Sequence, residues 1–130
     1  MTLPKRALVV DDNDVNRLLA SRLLGKAGWE ICEAADGDQA LAWMQANTAR
    51  LVLLDISMPT ISGEEVCRRA REKSLLAPGC KLVAYTAHAM PEERRQFLDA
   101  GFDAILTKPV SRQSLAALLE DLGLNGEASS

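Results

Sequence analysis

Cysteine is scarce and odd in number. Cys32, Cys67 and Cys80 are scattered along 130 residues with no metal-ligand spacing, which speaks against a disulfide framework or a zinc site and for reduced thiols in a cytoplasmic protein. No apolar run approaches the roughly 18 residues of a membrane-spanning helix, and Met1 to Arg6 lacks the apolar centre of a signal peptide. Direct membrane contact is therefore not expected. Basic excess is also missing: 15 Lys and Arg stand against 18 Asp and Glu, for a net charge of −3. Without a basic stripe, nucleic acid is not an expected partner, and without a block of like charge no acidic or basic tail is indicated. There is no internal repeat and no low-complexity tract. Histidine occurs once, as His88.

What is present is enough for one domain. Hydrophobic residues make up 48% and charged residues 25% of the chain, an ordinary globular balance. A chain of this length buries roughly 65–70% of the surface it would expose unfolded, so it needs no staples. Short apolar runs alternate with amphipathic helical segments five times, the pattern of an α/β protein with a parallel sheet. Strands are expected near 6–10, 30–34, 51–54, 82–85 and 104–107. Helices are expected near 14–27, 37–47, 63–73, 91–100 and 111–122. The first helix has Asp14 as candidate N-cap, Val15, Leu19 and Leu23 on its apolar face, and Gly28 as its stop. The second strand, Glu-Ile-Cys-Glu-Ala, alternates and suits a sheet edge. The first, third and fourth strands are nearly all aliphatic, which implies burial on both faces. Pro91 and Gly101 bound the fourth helix, whose thin apolar content (Phe97, Leu98) predicts weak anchoring. Ser111, a Leu115–Leu118–Leu119–Leu122 stripe and Gly123 define the fifth. The expected domain is 5–122, with flexible ends at 1–4 and 123–130.

Four of the apolar runs end on the residue types of a phosphoryl-transfer site. Ala7–Val10 leads into Asp11-Asp12, Leu51–Leu54 into Asp55, Leu82–Tyr85 into Thr86, and Ala104–Thr107 into Lys108-Pro109. In an open α/β sheet these ends share the edge where ligands bind. Taken singly, each has an ordinary explanation: Asp11-Asp12 as a helix-capping turn, Asp55 as a turn residue, Thr86 as a β-branched strand residue, Lys108 as a surface cation. Together, three acids facing one lysine would repel one another without a cation. The grouping predicts a hard divalent metal, Mg²⁺ with Mn²⁺ as a substitute, and a carboxylate able to receive a phosphoryl group.

The set Asp11-Asp12, Asp55 with Met58-Pro59 and Gly63, Thr86-Ala87, and Lys108-Pro109 resembles the receiver domain of two-component response regulators, over about residues 5–122. The resemblance implies a flavodoxin-like (βα)5 three-layer sandwich with strand order 2-1-3-4-5, a topology for which receivers are a standard example. It implies Asp55 as phosphoacceptor, and Mg²⁺ held by Asp12 and Asp55 directly, by Asp11 through water and by the backbone carbonyl of Ser57. Thr86 would bond the phosphoryl group and Lys108 would pair with Asp55 or its phosphate. Ser57, Ala87, His88, Ile105 and Pro109 would modulate the site, with a cis bond at Pro109 as one way to hold the turn. The implied donor is a histidine kinase or a histidine phosphotransfer domain, and Val15 and Leu18 are candidate docking residues. The implied activity is self-catalysed acceptance and slow self-hydrolysis rather than conventional turnover. Asp-Asp-Asn-Asp-Val-Asn-Arg (11–17), Thr-Ala-His-Ala-Met (86–90) and the run 100–109 look like receivers of hybrid kinases and phosphorelays. No output domain follows residue 123, so the output is expected to pass through another protein, unless the chain is an excised module.

Two positions depart from the pattern. Ile105 stands three residues before the lysine, where receivers often carry Tyr or Phe as a conformational reporter, and Tyr85 is a poor substitute because strand neighbours point to opposite faces. Ser62 stands before Gly63 where many relatives have Asp. A phosphatase of the haloacid dehalogenase type also uses an aspartyl phosphate. It wants its nucleophile on the first strand and a second Asp two residues on, whereas here the acid ends the third strand and position 57 is Ser. A binding-only pseudo-receiver is a third reading, opposed by the intact acids, Thr86 and Lys108.

Overall fold

The computed structural model describes residues 4–124. Five parallel strands form one sheet in the order β2-β1-β3-β4-β5. They are β1 (Arg6–Val10), β2 (Glu30–Ala34), β3 (Leu51–Asp55), β4 (Lys81–Thr86) and β5 (Ala104–Thr107). Each is followed by a helix: α1 (Asp14–Lys26), α2 (Gly37–Ala46), α3 (Gly63–Glu72), α4 (Pro91–Ala100) and α5 (Arg112–Asp121). The three-layer flavodoxin-like order expected from the sequence is the one observed, with β2 at an edge.

The aliphatic strands build two cores of opposite parity, because successive strand residues face opposite sides of the sheet. Leu8, Val10, Val52, Leu54, Leu82 and Ala84 pack with Ala40, Met44, Val66, Cys67, Ala70 and Phe97 of α2, α3 and α4. Ala7, Val9, Leu51, Leu53, Val83, Tyr85 and Leu106 pack with Ala20 and Leu24 of α1 and with Leu115, Leu118 and Leu119 of α5. Each fully buried leucine contributes about 1.5–3 kcal/mol. Double-sided burial leaves only the strand ends available for polar chemistry.

Most helix boundaries follow the local signals. Asp36, Ser62 and Ser111 cap α2, α3 and α5, accepting from the N–H of Gln39, Glu65 and Ser114. Ser62, which departs from the receiver pattern, thus serves as a helix cap. Gly101 closes α4 at φ +117°, and Phe97 is the one side chain of α4 that is fully buried. The start and face of α1 differ from expectation. Its cap is Asn13, whose side chain accepts from Asn16 N–H, and Asp14 is already the first helical residue. The buried residues of α1 are Ala20, Ser21 and Leu24, while Val15 (74%), Leu18 (48%) and Leu19 (37%) are exposed. Leucines at 18, 19, 23 and 24 fill two adjacent stripes, so periodicity could not choose between them. The small Ala20 lets the helix approach the sheet on the other one. At the far end Leu124 is buried against the α1/α5 core, its N–H donating to Leu119 O. Of the flexible ends expected at 1–4 and 123–130, residues 1–3 and 125–130 lie outside the described residues. No helix among the described residues is long and apolar enough to cross a membrane.

Candidate functional site

Strand register brings the chemistry together. Val10 pairs with Leu54, Asp55 with Tyr85, and Thr86 with Thr107. The next residue after Val10 is Asp11 and the next after Thr107 is Lys108, so the acids, Thr86 and the lysine emerge at one level of the sheet edge. Parity then sorts them. Asp11, Asp55 and Lys108 share the side of Val9, Leu53 and Leu106, toward α1 and α5, whereas Thr86 shares the side of Ala84, toward α2, α3 and α4.

The Lys108 ammonium lies between two carboxylates, 2.9 Å from Asp11 Oδ2 and 3.0 Å from Asp55 Oδ1. Backbone amides take further lone pairs: Asn13 N–H donates to Asp11 Oδ1 (2.8 Å) and Ser57 N–H to Asp55 Oδ1 (3.2 Å). Asp55 is 2% exposed. Its Oδ2 is buried and makes no hydrogen bond. An orphaned buried carboxylate oxygen costs free energy unless something arrives to pair with it. Burial pushes the Asp55 carboxyl up from 3.8 to about 6; Lys108 opposes the shift, and Asp11 and Asp12 add to it. Burial pulls the Lys108 ammonium down, but Asp11 and Asp55 outweigh it and the net shift is upward.

Asp11, Asp12 and Asp55 each offer an oxygen, and these atoms lie within 4.8 Å of one another. One lysine cannot balance three carboxylates. All the donors are hard oxygens, and two of the three residues are buried. That set fits a hard divalent cation that retains several waters.

Local backbone geometry fixes these groups. The Arg17 guanidinium donates to Asp11 O (2.6 Å) and also pairs with Asp14 and with Glu33 of β2. The sequence shows Arg17 only as the last residue of the 11–17 run and assigns it no role. Gly63 N–H donates to Ile56 O (2.9 Å), and a Cβ at Gly63 would stand 2.2 Å from Asp55 O. No other residue can let α3 start so close to the end of β3. Thr86 Oγ1 accepts from His88 N–H (3.2 Å), and Thr86 O accepts from Lys108 N–H (2.7 Å). The Lys108-Pro109 peptide is cis. Ser57, Ala87, His88 and Pro109 are exposed around the edge, and Ile105 is half-buried on the Thr86 side. Trp29 and Trp43 pack into the two cores.

Comparison with known proteins gives a consistent picture. A sequence model described as response regulator receiver domain matches residues 7–120. The chain is 38% identical over 117 residues to the sensor histidine kinase RcsC of Salmonella typhimurium, covering 87% of this chain and 12% of that protein. The chain thus spans about an eighth of the length of that curated relative. Among solved structures, the chemotaxis protein CheY4 of Vibrio cholerae superposes with a TM-score of 0.83 at 28% identity, covering 92% of this chain and 98% of that one. A response regulator protein from Burkholderia pseudomallei, solved with a phosphorylated aspartic acid, a calcium ion and citrate, superposes with a TM-score of 0.76 at 27% identity, covering 87% and 65%.

Proposed function

Since the chain belongs to the response regulator receiver family, the phosphorylatable switches of two-component signalling, we propose that Asp55 is its phosphoacceptor and that the donor is a phosphohistidine of a histidine kinase or histidine phosphotransfer domain. One observation carries the reading: Asp55 Oδ1 is held by Lys108 and Ser57 N–H, while the buried Oδ2 has no partner. The free oxygen is the nucleophile. Its lone pair forms the new O–P bond, the P–N bond to the donor imidazole breaks, and the imidazole nitrogen leaves with that electron pair. The product is an acyl phosphate on Asp55.

Mg²⁺, or Mn²⁺ in its place, would be held by Asp11, Asp12, Asp55 and the Ser57 carbonyl, and when bound would supply positive charge against the phosphoryl oxygens. Lys108 is placed to pair with one of those oxygens as a compact point charge. Thr86, on the opposite side of the strand edge, offers a hydroxyl whose lone pair is already engaged by His88 N–H, so its O–H is oriented to donate elsewhere. Ala87 leaves the loop open beside it, while Ser57 and His88 flank the entry of water and Pro109 holds the Lys108 turn. Added phosphate charge on Asp55 draws Lys108 and Thr86 inward and changes the surface around α4.

The relative RcsC is named a sensor histidine kinase, and the Burkholderia relative was solved with a phosphorylated aspartic acid and a calcium ion. Both support a place in a histidine-to-aspartate relay; we read residues 5–122 as the working unit and the cytoplasmic side as its location. Exposed Val15, Leu18 and Leu19 on α1 form an apolar patch next to the acids, suited to the apolar surface of a donor helix. The test is incubation with acetyl phosphate and Mg²⁺ followed by intact mass. Wild type should gain one phosphoryl group and Asp55→Asn none; an unlabelled wild type, or full labelling of Asp55→Asn, would overturn the reading.

A further inference from the structure

Resting on the acceptor reading above, we propose that Tyr85 is a positioning residue for Lys108: its ring face forms the floor on which the ammonium sits while it faces Asp55. Tyr85 and Thr86 are neighbours on β4 and project to opposite sides of the sheet, so Tyr85 cannot report on Thr86. It does, however, share its side with Asp11, Asp55 and Lys108. Lys108 Nζ lies over the Tyr85 ring, 5.0 Å from its centroid. The negative face of an aromatic ring attracts a cation at that range.

The same lysine is therefore held at both ends by consecutive residues of β4. Thr86 O takes its backbone N–H at 2.7 Å, and the Tyr85 ring supports its ammonium. Asp11 and Asp55 engage Nζ from the other directions. An ammonium has three N–H donors. A ring supports the charge without demanding that one of them point at a single acceptor atom, so two serve the carboxylates and the third is available to a phosphoryl oxygen. An aliphatic residue at 85 would fill the space but give the cation nothing. The ammonium would then settle further onto the two carboxylates, where it competes with the acceptor oxygen instead of waiting for the phosphoryl group.

The hydroxyl is not what this position needs. Tyr85 is fully buried, and its Oη makes no hydrogen bond of ordinary geometry, although the Val110 backbone acts on it. A buried phenol so poorly partnered gains little over the plain ring of phenylalanine. The two parts of the side chain therefore make opposite predictions, which separates the proposal from simple core packing. Packing alone would rank Phe and Leu by volume; the proposal ranks them by whether a π face remains.

The experiment uses the full chain with acetyl phosphate and Mg²⁺. Tyr85→Phe should retain acceptance within about twofold of wild type, and Tyr85→Leu and Tyr85→Met should slow it by about tenfold, the range of a partly desolvated cation–π contact. Mg²⁺ affinity, which a collapsed site would lose, should change by less than about threefold in all three. In a Lys108→Ala background, Tyr85→Leu should have no further effect on the rate. A readout independent of phosphorylation is the Lys108 methylene proton shifts: ring-shifted in wild type and Tyr85→Phe, and at ordinary values in Tyr85→Leu. Equal rates for Phe and Leu variants, an additive double variant, or unshifted methylenes in wild type would each overturn the proposal. No labelling of wild type overturns the acceptor reading and this inference with it. A labelled wild type with an unaffected Leu variant overturns this inference alone.

Discussion

Lys108 Nζ donates to Asp55 Oδ1 across 3.0 Å, while the other oxygen of the same carboxylate is buried without a partner. The two halves of one carboxylate are thereby differentiated: one oxygen is neutralised and held, the other is left unpaired, as the proposed acceptor role requires.

That division makes Lys108→Ala informative. Removing the ammonium leaves Asp11 and Asp55 unneutralised and takes away a cation placed for the phosphoryl oxygens. Acceptance from acetyl phosphate at saturating Mg²⁺ is expected to slow by about 100-fold, the usual consequence of losing one preorganised electrostatic group. Time-resolved intact mass measures it, and a loss below about threefold would remove Lys108 from the chemistry.

The raised pKa of Asp55 has a stability consequence. Burial lifts the folded-state value from 3.8 to about 6. Between those values the folded state binds more protons than the unfolded chain, so the contribution is fully present below 3.8 and is lost as pH rises through about 6. The total is on the order of 3 kcal/mol. Without metal, urea unfolding should show stability from this group declining across that window, and Asp55→Asn should flatten the decline. If Mg²⁺ is held as proposed it binds the ionised form, and its stabilisation should be larger above that window than below it.

Gly63→Ala tests the close approach of α3 to β3. A Cβ placed 2.2 Å from Asp55 O and 2.9 Å from the Cα of Ile56 forces backbone to move. A loss of about 3 kcal/mol in stability is expected, the upper part of the usual range for overpacking. Acceptance should fall as well, since the displaced atoms belong to the proposed acceptor residue itself. Chemical denaturation together with labelling of the folded fraction distinguishes the two effects.

The exposed patch on α1 should separate chemistry from docking. Val15→Asp and Leu18→Asp alter side chains that are largely exposed and should change stability by less than about 0.5 kcal/mol. Labelling by acetyl phosphate should be unchanged. Transfer from a phosphorylated histidine phosphotransfer domain should slow by about tenfold, as expected for charge placed in an apolar contact. Equal loss with both donors would show that the patch does not select the partner.

Much of this was legible because the strands are short and aliphatic. Leu51–Leu54 could only be a doubly buried strand, and once β1, β3, β4 and β5 are parallel neighbours, the residues at their ends must meet. Asp11, Asp55, Thr86 and Lys108 were therefore visible in the sequence as a group. The cap of α1 was not. Asp11-Asp12-Asn13-Asp14 offers four residues able to cap, and the choice of Asn13 depends on where β1 releases the chain. Nor was the buried face of α1, since leucines occupy both candidate stripes and only contact with the sheet decides between them. The sequence relates Tyr85 to Thr86, its chain neighbour, whereas the residue it touches is Lys108, brought over by β5. Periodicity assigns a side chain to a face; it does not name the visitor from the adjacent strand.

Arg17 joins Asp11 O to Asp14 and Glu33, riveting the acidic loop, the first turn of α1 and the edge strand into one piece. The helix that greets a donor therefore keeps a constant orientation toward the carboxylates. Allegiance can be rewritten on its outer surface, at positions such as Val15 and Leu18, without re-tuning the reactive centre behind it.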